Sequence, residues 1–161
     1  MSPGEDASSG GGPVVKDPMI GRVLDERFEI KKFMTRGGMG RIYLAEQRPL
    51  GRSVVVKLLD VKSERTEEFR RRFFLEASLC ARLSHPNIIR VFDYGCDGDD
   101  YFIAMEHLKG RTLHEVIRNE APLEPLRIIN LMKQVCSALE EAHNNGIIHR
   151  DLKPANLFIS E

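Results

Sequence analysis

From residue 28 to residue 59 apolar and polar positions change over in short runs rather than in helical turns. Residues 28–34 are predicted as a first strand. Residues 41–46 set Ile42 and Leu44 against Tyr43 and Ala45, a period of two. Residues 53–59 are β-branched and nearly all apolar, which marks a central, buried strand. Arg36-Gly37-Gly38 and Arg48-Pro49-Leu50-Gly51 provide the turns between them. The period then lengthens. Phe69, Phe73, Cys80 and Leu83 recur at helical spacing behind Glu67 and Glu68, and Pro86 ends the pattern, so residues 66–82 are predicted as a helix. Two more strands follow, 88–94 and 101–106, around a turn-rich 95–100. Residues 112–119 form a short helix. A longer one opens at Pro125 and stops at Asn145-Gly146. Five strands with one helix, then a helical segment, make an α+β chain in two lobes without βα alternation.

Polar residues that break these patterns are the candidates for chemistry. Glu76 lies on the apolar stripe of the first long helix, and a carboxylate facing a core is costly unless paired. Lys57 interrupts the most apolar strand. The two answer each other if the helix packs on the sheet; otherwise Glu76 reaches water from the stripe's edge and Lys57 snorkels. Arg36-Gly37-Gly38-Met39-Gly40 joins two strands with residues that let backbone N–H groups approach anionic oxygens, although such hairpin turns also serve no ligand. The cluster His149-Arg150-Asp151-Leu152-Lys153-Pro154-Ala155-Asn156 is framed by Ile147-Ile148 and Leu157-Phe158-Ile159, which pin it on both sides. There Asp151 is suited to accept or orient a hydroxyl proton, Asn156 to ligate a hard cation, and Lys153 to neutralise a phosphoryl group in transfer.

Composition narrows the field. Lys+Arg and Asp+Glu number 24 each, and zero net charge lacks the basic footprint of a nucleic-acid or anionic-membrane binder. Three cysteines without a CxxC indicate neither a disulfide framework nor a zinc site and fit a reducing, cytoplasmic setting. No apolar run is long enough for a membrane span. MSPGEDASSGGGP has little to bury, so residues 1–20 are expected to be a disordered Gly/Ser/Pro-rich tail.

The order Gly-rich hairpin, strand Lys, helix Glu and HRDLKPAN resembles the protein kinase superfamily, and GGMGRIYLAE, SHPNIIRVFDYG and NGIIHRDLKPAN resemble the eukaryotic-like serine/threonine kinases of bacteria. The resemblance runs from about residue 21 to residue 161. It implies a complete N-terminal β-sheet lobe with one helix over residues 21–106, then a hinge and an incomplete helical C-terminal lobe over 107–161. It also implies ATP and Mg²⁺ as cofactors and a protein Ser/Thr hydroxyl as substrate. Gly37, Gly38, Met39 and Gly40 would cover the phosphates, with Ile42, Val55 and Phe158 around adenine. Lys57 would hold the α/β-phosphates, oriented by Glu76. Met105 resembles the gatekeeper, and Glu106, His107 and Leu108 the hinge. Asp151 would be the catalytic base, Lys153 the γ-phosphate contact and Asn156 a Mg²⁺ ligand. Arg150 before Asp151 resembles kinases switched on by phosphorylation of the activation loop.

The pattern departs from the family in places. Thr35 stands where the first loop glycine is expected; Val55 and Phe158 are larger than usual and crowd the adenine slot. The family's chain continues past the strand near 157–159 into a DFG motif, an activation loop and most of the helical lobe. The long helix also carries two adjacent apolar rows, one through Ile128 and Leu131, the other through Ile129, Met132 and Cys136. Few predicted elements are left to cover them. The end at residue 161 is therefore expected to be artificial, the 161 residues alone to have little or no transfer activity, and a membrane anchor to be compatible with the remainder of a longer protein. Two alternatives stand beside the kinase reading: a non-catalytic module that binds a nucleotide or a partner, and a small-molecule phosphotransferase of the same superfamily.

Overall fold

The computed structural model describes residues 17–37, 40–60 and 66–160. Six strands form one sheet in the order β1-β2-β3-β4-β6-β5: β1 (Val23–Leu24), β2 (Phe28–Gly37), β3 (Gly40–Gln47), β4 (Arg52–Leu59), β5 (Val91–Asp97) and β6 (Asp100–Glu106). Helix α1 (Glu67–Arg82) lies between β4 and β5 in the chain. After β6 come a three-residue strand β7 (Gly110–Thr112), helices α2 (Leu113–Glu120) and α3 (Pro125–Asn144), a 3-10 turn at Pro154–Asn156 and β8 (Phe158–Ser160). Strands β7 and β8 pair with each other as a second, two-stranded sheet. Among the described residues no helix is long and apolar enough to cross a membrane.

The alternation read from the sequence becomes two faces of the large sheet. Antiparallel pairing sets Tyr43 beside Val56 and Val56 beside Ala104. With Ala45, Val54, Leu58 and Phe102 these side chains form the core. Phe28 meets Phe102 edge-on at 5.6 Å between ring centroids. Because side chains alternate along a strand, Ile42, Leu44, Val55 and Lys57 must point to the opposite face.

The core face is closed by the chain's own start. Met19 is 5% exposed and Leu24 fully buried against it. The Tyr43 hydroxyl, buried on the same face, donates to Asp17 Oδ2 at 2.9 Å, and burial is the leading cause that pushes its pKa up. Arg22 holds Asp97 and Asp100 on the β5–β6 hairpin at 3.1 and 2.6 Å. Residues 17–20, expected to belong to the disordered tail, are thus packed on the sheet. A single apolar side chain, Met19, placed among tail-like neighbours, gains enough by burial to order the segment. Residues 1–16 of the expected tail lie outside the described residues.

Strand β5 begins at Val91, later than the pattern predicts. Residues 85–88 are taken up by a turn in which the Ile88 N–H donates to the His85 carbonyl at 3.1 Å. The helix signals are used as read. Thr66 caps α1 by accepting from the Phe69 N–H at 3.1 Å. Thr112 and Glu115 form a reciprocal capping box on α2. In α3 the row of Leu131, Val135 and Ala138 is half-buried, while Ile129 is 50% and Met132 40% exposed.

Replacing Leu24 by Ala should cost about 3 kcal/mol, because it leaves a cavity where the first segment seals the sheet. Urea unfolding of the two proteins checks this, and an unchanged midpoint would show that residues 17–24 do not belong to the cooperative core.

Candidate functional site

The inner face of the sheet is set by register. Ile42 stands opposite Lys57, and Lys57 opposite Ile103; one step along, Leu44 stands opposite Val55 and Val55 opposite Met105. Five apolar side chains in two rows therefore surround a single ammonium. All are half-buried, in contrast to the fully buried residues between them. Such a surface is a low-polarity wall with one fixed positive charge.

Glu76 does not join it. Among the described residues no ion pair links Lys57 to Glu76 within 4.0 Å, and Glu76 is exposed. Helix α1 instead turns Phe73 and Ala77 inward. The cause is aromatic. Phe69 and Phe73 meet the Tyr101 ring edge-on at 5.4 and 5.2 Å, and Phe74 lies 6.1 Å from Tyr94. Seating Phe74 as well as Phe73 rotates the helix so that Glu76 and Cys80 fall at the wet edge of the stripe. The edge position for Glu76, open in the sequence, is the one found.

The glycine turn closes the same end of the sheet as Lys57. Gly37 pairs with Gly40 across it. Gly40 has φ +147°, and a Cβ there would sit 1.9 Å from the Leu58 carbonyl oxygen, so no other residue fits without moving β4. At Gly37 an added Cβ would meet nothing within 4 Å. Gly38 and Met39 lie outside the described residues.

At the other end of β6 the chain leaves the sheet through Met105, Glu106, His107 and Leu108. The Glu106 N–H donates to the Arg90 carbonyl at 3.0 Å, and its carboxylate accepts from the Arg90 N–H at 2.6 Å. His107 Nδ1 and the Ser53 hydroxyl share a hydrogen bond of 3.0 Å, tying this exit to the start of β4. The Leu108 N–H donates to no described residue. Gly110 then lets β7 lie against β8: a Cβ would come 2.0 Å from the Ile159 carbonyl oxygen. Thr112 pairs with Phe158, and the Leu113 N–H donates to the Leu157 carbonyl at 2.7 Å. The chain after Leu108 and the chain after the polar loop are thereby fixed together. Phe158 sits on β8 at 45% exposure. The β7–β8 pairing was not anticipated; Gly110, isolated between Lys109 and Arg111, is the one signal the sequence offers for it.

The polar loop folds around Asp151. Arg150 adopts φ +61°, a left-handed conformation uncommon for a residue with a side chain. This reverses the chain so that the Asp151 N–H reaches the His149 carbonyl at 2.8 Å. The Asp151 carboxylate accepts from Lys153 Nζ at 3.0 Å and from Asn156 Nδ2 at 3.0 Å. Asn156 Nδ2 also donates to the Asp151 carbonyl at 2.8 Å. Lys153 first, and Asn156 after it, hold the Asp151 carboxyl below the ordinary carboxylate range. With its amide nitrogen committed, Asn156 keeps Oδ1 as its acceptor, a hard oxygen of the kind a divalent cation takes. Helix α3 is joined to the sheet side by His85 Nε2 with the Ser137 hydroxyl at 3.0 Å and by Asn87 Nδ2 to Gln134 Oε1 at 2.9 Å.

Comparison with known proteins agrees with this arrangement. Residues 28–161 match the protein kinase domain. The chain is 42% identical over 141 residues to the serine/threonine-protein kinase PrkC of Bacillus subtilis, covering 88% of this chain and 22% of that one. It is 39% identical over 144 residues to the serine/threonine-protein kinase pkn3 of Myxococcus xanthus, covering 89% and 26%. The crystal structure of the Mycobacterium tuberculosis PknI kinase domain superimposes with a TM-score of 0.76 at 30% identity, over 87% of this chain and 57% of that one. The chain thus spans about a quarter of the length of these curated relatives and somewhat over half of the solved kinase domain. With its six-stranded sheet, its lysine on the inner face and its Asp–Asn loop, this chain belongs to the protein kinase domain family.

Proposed function

We propose that these residues form the nucleotide-binding lobe and catalytic loop of a serine/threonine protein kinase that transfers the γ-phosphoryl group of ATP to a Ser or Thr hydroxyl. The observation that carries the reading is the Asp151 carboxylate, ionised and oriented by Lys153 and Asn156 in one loop. The reaction needs an acceptor aimed at a hydroxyl and a cation beside the moving phosphoryl group, and the loop supplies both. The names of the relatives support the Ser/Thr class.

In this reading adenine lies against Ile42, Val55 and Met105, with Phe158 toward the lower side. The Glu106 carbonyl and the Leu108 N–H offer the two backbone hydrogen bonds that a purine edge can use. Lys57 binds the α/β-phosphates, and Gly37, Gly38, Met39 and Gly40 cover them. Glu76 orients Lys57 only after α1 turns its wet edge toward the sheet. Asp151 takes the hydroxyl proton, and Lys153 moves from Asp151 to the γ-phosphate as charge builds there. Asn156 Oδ1 would help hold Mg²⁺, whose chemistry is to neutralise phosphate charge. The setting is the cytoplasm, where ATP and Mg²⁺ are abundant; the partners are ATP and a Ser/Thr-bearing protein, and nucleic acid has no role.

In the full-length protein, Lys57→Met should abolish measurable ATP binding by calorimetry. Asp151→Asn should leave binding intact and lower phosphoryl transfer about 10²- to 10⁴-fold, the range of a positioned acid–base group. Binding without transfer in the unmodified full-length protein would favour a nucleotide-binding module instead.

Residues 1–161 alone should bind nucleotide weakly and transfer no phosphate in a radiolabelled ATP assay with a generic protein substrate. The open apolar row of α3, through Ile129 and Met132, should also make them associate in solution. Robust turnover by the isolated 161 residues would refute this.

The acid side of the pH–rate profile tests the loop directly. A depressed carboxyl pKa keeps Asp151 ionised down through the ordinary carboxylate range and loses that form only below it. Replacing Lys153 by Ala removes the leading cause, so the acid limb should move to higher pH, apart from any loss of maximal rate.

A further inference from the structure

The neck of the glycine turn contains a charge problem. Arg36 on β2 and Arg41 on β3 are direct cross-strand partners. Two like charges directly opposite on one face of an antiparallel pair repel and tend to part the strands. They stand at the last positions before the glycines, where the hairpin has only the Gly37–Gly40 pair beyond them.

One carboxylate addresses both. Asp60, the residue after β4, accepts from Arg36 Nη2 at 2.7 Å and lies 3.5 Å from Arg41 Nε. That Arg41 nitrogen is buried and makes no hydrogen bond among the described residues, so attraction to Asp60 is its electrostatic compensation. Arg41 is further steered by Nη1 donating to the Tyr43 hydroxyl at 3.3 Å. Arg41 pairs with Leu58 and Arg36 with Arg41, so the group sits on the core face of the sheet, behind the face that carries Lys57.

We infer that Asp60 is a positioning residue for the phosphate-covering turn: it holds Arg36 and Arg41 together from behind and so fixes the Gly37–Gly40 neck on which that turn stands. The inference rests on the nucleotide-binding reading of that turn. The clamp is also adjustable. Arg36 is 69% exposed, so solvent and salt reach its side of the clamp. Without the carboxylate the two guanidinium groups separate and the neck at Gly37–Gly40 loosens. Contacts to phosphate are lost and contacts to adenine, made by the inner face further down, are kept.

The test is Asp60→Asn in the full-length protein, with ATP and adenosine binding measured side by side and amide hydrogen exchange followed over residues 37–42. ATP binding should weaken about three-fold, the order that a partly exposed ion-pair cluster can supply. Adenosine binding should not change, and exchange in the turn should accelerate without nucleotide. A charge swap, Arg36→Asp with Asp60→Arg, restores one anion among two cations and should recover ATP binding. Equal weakening for adenosine would mean a general structural loss and overturn the inference, as would ATP affinity and exchange rates that match the unmodified protein. Absence of saturable ATP binding in the unmodified protein would instead sink the nucleotide reading, and turn exchange alone would then decide whether Asp60 clamps the hairpin.

Discussion

The antiparallel register of β3, β4 and β6 is the constraint on which the rest depends. With a side-chain period of two, one choice of register puts Tyr43, Val56 and Ala104 in the core and Lys57 on the opposite face. A slip of β4 by one residue would drive the Lys57 ammonium into the core and expose Val54, Val56 and Leu58. The cost of that error is what holds the lysine in place. The segment from Asp17 to Leu24 raises the cost further, because it covers only the face that the correct register makes apolar.

Charge is arranged around this frame at its edges. Arg22 with two aspartates and Arg27 with Asp25 and Asp93 lie along the β5–β6 side. Arg36, Arg41 and Asp60 lie at the glycine end. Singly, such exposed pairs contribute little. Their value is geometric: each joins strands or segments that the hydrophobic core does not reach.

Five of the six strands of the sheet and the three helices could be read from the sequence because each rests on local period and local stop signals: Pro86 after α1, Pro125 at the start of α3, the glycines between strands; the two-residue β1 is too short to carry a period. The site was legible where a residue breaks its own pattern, as Lys57 does, or where polar groups crowd together, as in Asp151, Lys153 and Asn156. The facing of α1 was not legible. Counting apolar positions places Glu76 within the stripe, but the choice between Phe73 and Phe74 as the centre of the face belongs to Tyr94 and Tyr101, which are distant in sequence. The β7–β8 pairing was hidden for the same reason. Three residues carry no period, and their partner lies at the far end of the chain.

That pairing has a kinetic consequence. Most of the large sheet forms from hairpins and neighbours close in sequence, but Thr112 finds Phe158 only after α2, α3 and the whole polar loop have been made. Closing so long an excursion is entropically slow, and contacts of this kind tend to form late. Gly110 removes the steric obstacle at the point of closure, but it adds no attraction of its own. The β-sheet half is thus assembled before the Asp151 loop is locked beside it, so that a nascent chain holds a finished Lys57-bearing face while its Asp151 loop is still unconstrained.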